Sequence, residues 1–137
     1  MKKILVCLTI VFICAQIAGA QDHARAGTSP VKKPHVLYGT ASYYANKFEG
    51  RETANGEIFS QKKMTAACNV LPLGTWIRVT NLHNGRTVVV KVNDRLHFRM
   101  KRVVDLSRAA ANQLHHMDGL IRVKVEVLPG KPAQRGA

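Results

Sequence analysis

Residues able to carry chemistry are few in this chain, because 137 residues hold only 8 acids against 21 Lys and Arg. An acid at the boundary of a structural element is therefore a candidate for a task. The stretch VKVNDR (90–95) ends a β-branched apolar run in Asn93-Asp94-Arg95. A carboxyl at such a strand end, partly desolvated beside a neutral amide, can pass a proton to and from a substrate. Arg95 then has to point away or meet an anionic substrate group. The plain alternative is a turn aspartate that accepts from backbone amides. Glu57 follows the turn dipeptide Asn55-Gly56 and enters an expected short strand over 57–59. Asp105 precedes Leu106-Ser107 and an Ala-rich stretch. There the helix dipole and an N-capping Ser107 account for it, so it reads as architecture.

Metal and thiol chemistry find less support. The six histidines and Cys68 show no HExxH, CxxC or comparable spacing. His115 and His116 are adjacent, and on a helix adjacent side chains diverge by about 100°. Neither a metal nor a cofactor is expected. Cys68 has no sequence-defined His partner for nucleophilic work, and fits better as a small residue of a wall.

The elements that must position these groups begin after an expected signal peptide over 1–20. Lys2 and Lys3 precede a mostly apolar run, and Ala18-Gly19-Ala20 sets cleavage before Gln21. Cys7 follows Val6 and Cys14 follows Ile13. Neither has the small residue that a lipidation site needs, so no stable membrane anchor is expected. Export leaves 117 residues with 19 basic and 8 acidic side chains, a charge of +11, and one cysteine. One ordinary domain follows, held by its core rather than by a disulfide. The charge suits a polyanion such as cell-wall polymer or an anionic membrane face. Nucleic acid is not expected, because the interleaved aromatics of a stacking surface are missing. The domain is expected to act as a monomer.

Residues 21–35 read as a flexible lead-in, 36–129 as the domain and 130–137 as a tail. Val36 to Tyr44 is rich in β-branched and aromatic residues. Tyr43 and Tyr44 fall on opposite faces of that strand, so at most one lines a groove and the other packs. In 76–81, Ile77, Val79 and Asn81 alternate with Trp76, Arg78 and Thr80, and Asn84-Gly85 then turns the chain into 87–92. Trp76 fits the core better than a binding platform. Residues 121–128 alternate as a further strand, and one helix runs from Ser107 through Leu114, stopping before Gly119. Short strands with one helix and no βαβ alternation indicate a mainly β fold, a small barrel.

Six segments then carry a family resemblance: GTASYY (39–44), TANGEIF (53–59), TAACNVLPLGT (65–75), VTNLHNGR (79–86), VKVNDR (90–95) and VVDLSRAAA (103–111). In this order, over roughly 36 to 128, they resemble the rare lipoprotein A family. The resemblance implies a six-stranded double-psi β-barrel and action on peptidoglycan in the bacterial envelope. Some members are lytic transglycosylases that prefer glycan strands stripped of peptides. The acids implicated in the family fall on Glu57 and Asp94, and its frequent histidine falls on Cys68. After VNDR, relatives commonly continue Gly-Pro where this chain has Leu96-His97, and a frequent glycine is Lys101 here.

What this implies is an endolytic lytic transglycosylase that cuts between muramic acid and glucosamine units with a 1,6-anhydro product. The muramic C6 hydroxyl replaces water as nucleophile, so one carboxyl can act as acid and base in turn. Asp94 takes that role and Glu57 that of second carboxylate, against a solvated strand-entry residue as its bland reading. Tyr44, Thr53, Asn55, Cys68, Asn81, Asn93 and Arg95 are the expected substrate-binding residues, with peptidoglycan glycan strands as the partner. The competing expectation is a non-catalytic, expansin-like wall-binding module.

Overall fold

The computed structural model describes residues 35–116 and 118–133. The expected signal peptide, the lead-in up to residue 34 and the last four residues lie outside the described residues. Along the chain run β1 (Val36–Tyr43), a 3-10 turn (Asn46–Phe48), β2 (Thr65–Ala67), β3 (Trp76–Asn81), β4 (Thr87–Asp94), β5 (Val104–Leu106), α1 (Arg108–Gln113) and β6 (Ile121–Val127). The strands close into a barrel in the order β1-β5-β2-β4-β3-β6. β1 runs parallel to β5 and β2 parallel to β4, and the other neighbours are antiparallel. Among the described residues, closure pairs each barrel strand on both sides.

The expected hairpin is present, with Trp76 opposite Lys91 and Thr80 opposite Thr87. Its turn contains Gly85 at φ 74°, a conformation open to glycine without a Cβ clash. Ile77 and Val79 of β3, Val88, Val90 and Val92 of β4, and Val123 and Val125 of β6 turn inward and are buried. Val104 and Leu106 of β5 join them beneath Ala110, Ala111 and Leu114 of the helix side. Each such side chain contributes roughly 1.5–3 kcal/mol by leaving water, which is enough to hold a domain without a disulfide.

One expectation needs correction. Residues 57–59 form no barrel strand; a single bridge joins Glu52 to Ile58, so Glu57 sits in a folded-back loop. The expected helix is present, capped at Ser107 and Leu114. Ser107 Oγ accepts from the Ala110 amide at 3.3 Å as the expected cap, and the helix closes at Leu114 as expected. His115 adopts φ 51°, the left-handed conformation that ends helices, so the chain leaves the axis four residues before Gly119.

Candidate active site

Asp94 is the last residue of β4 and lines an open groove of about 500 Å³. Its Oδ1 accepts from the backbone amides of Ala54 at 3.0 Å and Arg95 at 2.8 Å. Its Oδ2 accepts from the Tyr44 hydroxyl at 2.7 Å. One oxygen is thus fixed by the backbone, while the other meets a group that can both donate and accept.

Tyr44 follows the last residue of β1, and its amide donates to the Leu106 carbonyl at 3.0 Å. The ring lies on Phe59 (centroids 4.3 Å apart) and edge-on to Phe48 (5.7 Å). Burial, with the Asp94 hydrogen bond second, pushes the phenol far above its usual range, so it stays a protonated donor. Both Tyr43 and Tyr44 line the groove, contrary to the expected one. The strand ends at Tyr43, and alternation no longer governs where the next side chain points.

Glu57 is set apart from that groove, whose lining does not include it. Its Oε1 accepts from Lys91 Nζ at 2.7 Å and Asn55 Nδ2 at 2.9 Å, and its Oε2 from Asn93 Nδ2 at 3.2 Å. The Lys91 bond, then those from Asn93 and Asn55, hold its carboxyl down at about 2. It is a charged acceptor with no proton to give near neutrality. Thr53 Oγ1 donates to Asn55 Oδ1 at 2.7 Å, and the Asn55 amide donates to the Asn93 carbonyl at 3.2 Å. Thr53, Asn55, Glu57 and Asn93 therefore form one mesh. It ties the 53–57 turn to β4 and presents the Ala54 amide to Asp94.

Asp105 is in the groove wall, which the architectural reading did not anticipate. Its carboxylate does not cap the helix. Arg102 forks onto it, Nε to Oδ1 at 2.7 Å and Nη2 to Oδ2 at 2.8 Å. That pairing raises the guanidinium above its usual range, against the effect of burial. Arg95 points away from Asp94, donating Nη1 to the carbonyls of Cys68 and of Leu71, the latter at 2.7 Å. With the Leu96 amide on Asn69 Oδ1 at 2.8 Å, it pins the base of the 95–102 loop.

Cys68 and Asn81 stand outside the groove. The Cys68 side chain is fully buried in the core, and its amide donates to the Asp94 carbonyl at 3.1 Å. Asn81 Nδ2 donates to the Leu114 carbonyl at 3.1 Å, fastening the hairpin to the helix end. Lys91 and the groove-lining Lys47, Phe48 and Arg102 were not singled out from sequence, and His97 was noted there as a departure from the relatives. Only Arg102 left a legible sign there, a cation three residues before Asp105.

A sequence model of the family described as lytic transglycolase matches residues 37–125. The chain belongs to the lytic transglycolase family. The endolytic peptidoglycan transglycosylase RlpA of Pseudomonas aeruginosa (strain UCBPP-PA14) is 54% identical over 95 residues, 69% of this chain and 28% of the relative. That of Haemophilus influenzae is 45% identical over 97 residues, 70% and 34%. A probable counterpart in Synechocystis is 48% identical over 120 residues, 87% and 37%. These matches bear out the resemblance carried by the six segments. The chain spans about a third of the length of these curated relatives. Among solved structures, the Streptomyces papain inhibitor has a TM-score of 0.56 at 23% identity, covering 69% of this chain and 94% of that one. An expansin of Clavibacter michiganensis has 0.56 at 24%, covering 72% and 52%. Such likeness bears on the fold alone, a double-psi barrel.

Proposed function

We propose that this chain is an endolytic peptidoglycan lytic transglycosylase with Asp94 as its proton carrier. The observation that carries the reading is the Tyr44–Asp94 hydrogen bond in the groove of a lytic transglycolase family member. Asp94 gives a proton to the leaving glycosidic oxygen. It then takes one from the muramic C6 hydroxyl as that oxygen attacks C1. Tyr44 follows by turning its hydroxyl, accepting from the acid and donating to the carboxylate. Glu57 works at one remove, as a positioning residue that holds the Ala54 amide on Asp94. Lys47 on the groove, with the chain's excess of Lys and Arg over acids, favours an anionic glycan, taken here as peptide-poor. The chain is exported, with cleavage before Gln21, and 36–129 act as the catalytic domain in the cell envelope.

The test is incubation of the chain with peptide-stripped glycan strands and mass spectrometry of the products. Strands ending in 1,6-anhydromuramic acid are the expected result. Reducing ends mean hydrolysis. Intact strands that still retain the protein mean a binding module and overturn the reading.

A further inference from the structure

The register of the barrel brings together two acids that are eleven positions apart in the chain. Ala67 of β2 is the partner of Asp94 on the β4 side and of Asp105 on the β5 side. Direct cross-strand partners share a face of the sheet. Neighbouring strands lie about 4.8 Å apart, so the two aspartate Cα atoms are separated by about 10 Å with one small methyl between them. A bulge at Ala66/Ala67 falls at this point, and bulges re-aim side chains. Asp94, Ala67 and Asp105 all line the same groove, and Glu57 does not. Carboxyl pairs that flank a scissile glycosidic bond stand about 5–9.5 Å apart, within reach of two aspartates so placed.

We propose that Asp105 is the second carboxylate of the reacting centre, facing the sugar carbon across Ala67 from Asp94. The inference rests on the lytic transglycosylase reading above. The C1–O4 bond breaks as O4 takes the Asp94 proton, and positive charge builds on C1 and the ring oxygen opposite Asp105. The C1–O6 bond then forms and the C6 hydroxyl proton returns to Asp94, so Asp105 contributes charge and no bond. Arg102 uses one N–H on each Asp105 oxygen and leaves further lone pairs on both. The fork holds the carboxylate in place, as stabilisation of a developing charge requires.

Kinetics of Asp105→Asn on peptide-stripped glycan strands test this, with thermal unfolding as the fold control. The expected result is a loss of kcat on the order of 100-fold with KM little changed. Removing one partner of a half-buried fork can unfold a domain, so D105N/R102Q, which removes both charges, is the second variant. It is expected to fold and to be equally slow, while R102Q alone, keeping the carboxylate, loses far less. Folded D105N with kcat within twofold of the unmodified chain overturns the proposal. So does a rise in KM alone. An unmodified chain that yields no 1,6-anhydro ends refutes the underlying reading instead, and the proposal with it.

Discussion

The Tyr44 hydroxyl and Asp94 Oδ2 are 2.7 Å apart, joined across 50 residues of sequence by the parallel pairing of β1 with β5 and of β2 with β4. Both ends of this bond are tied down. Tyr44 lies between Phe48 and Phe59, and Asp94 Oδ1 is held by two amides. Tyr44→Phe keeps that packing and removes only the hydroxyl. It is expected to lower kcat on glycan strands about tenfold while moving the melting temperature by only a few degrees. Paired kinetics and thermal unfolding check it, and unchanged kcat would leave the hydroxyl with no part in the reaction.

Glu57 is expected to matter through stability, with a defined pH window. Its folded-state value of about 2 lies below the ordinary 4.5, so its contribution is complete above 4.5 and fades as pH falls toward 2. With 36% of the side chain in solvent, the Lys91 pair is screened, and Glu57→Gln is expected to cost only about 1 kcal/mol near neutrality. Melting temperatures of both proteins from pH 7 to 2 should converge at the acid end. A gap that widens with acid would contradict the assignment.

Much of the barrel was legible and much of the site was not. The β3–β4 hairpin and β6 announce themselves through alternation and Asn84-Gly85, which are local signals. β2 and β5 are three residues each, too short for any period to register, and both make parallel pairs with distant strands. The same non-local pairing hid Asp105. Its neighbours Leu106 and Ser107 announce a helix start, while its groove position follows from Ala67, far away in sequence. Asn55-Gly56 located the turn before Glu57. Its partners Lys91 and Asn93, more than 30 residues on, left no trace.

Ser107 offers a clean test of the helix start. Its hydroxyl is fully buried and accepts from the Ala110 amide. Ser107→Ala is expected to cost about 1 kcal/mol, or about 4–8 °C of melting temperature for a domain of this size. Calorimetry reads it directly, and a shift under 1 °C would remove the cap from the account.

Asn81 separates fastening from binding. Its amide holds the Leu114 carbonyl at 3.1 Å and its Oδ1 accepts from the His83 amide at 2.9 Å. Asn81→Ala is expected to destabilise by about 1–3 kcal/mol, the cost of buried polar groups left unpaired. KM for glycan strands should stay within twofold. A large KM increase without loss of stability would return Asn81 to the groove.

Asp94 as the proposed proton carrier is put to the test by Asp94→Asn. The substitution keeps the size of the side chain and its acceptor for the Ala54 and Arg95 amides. Folded Asp94→Asn protein is expected to release 1,6-anhydromuramic ends from peptide-stripped strands about 10²–10⁴-fold more slowly than the unmodified chain. Release at the unmodified rate would contradict the account.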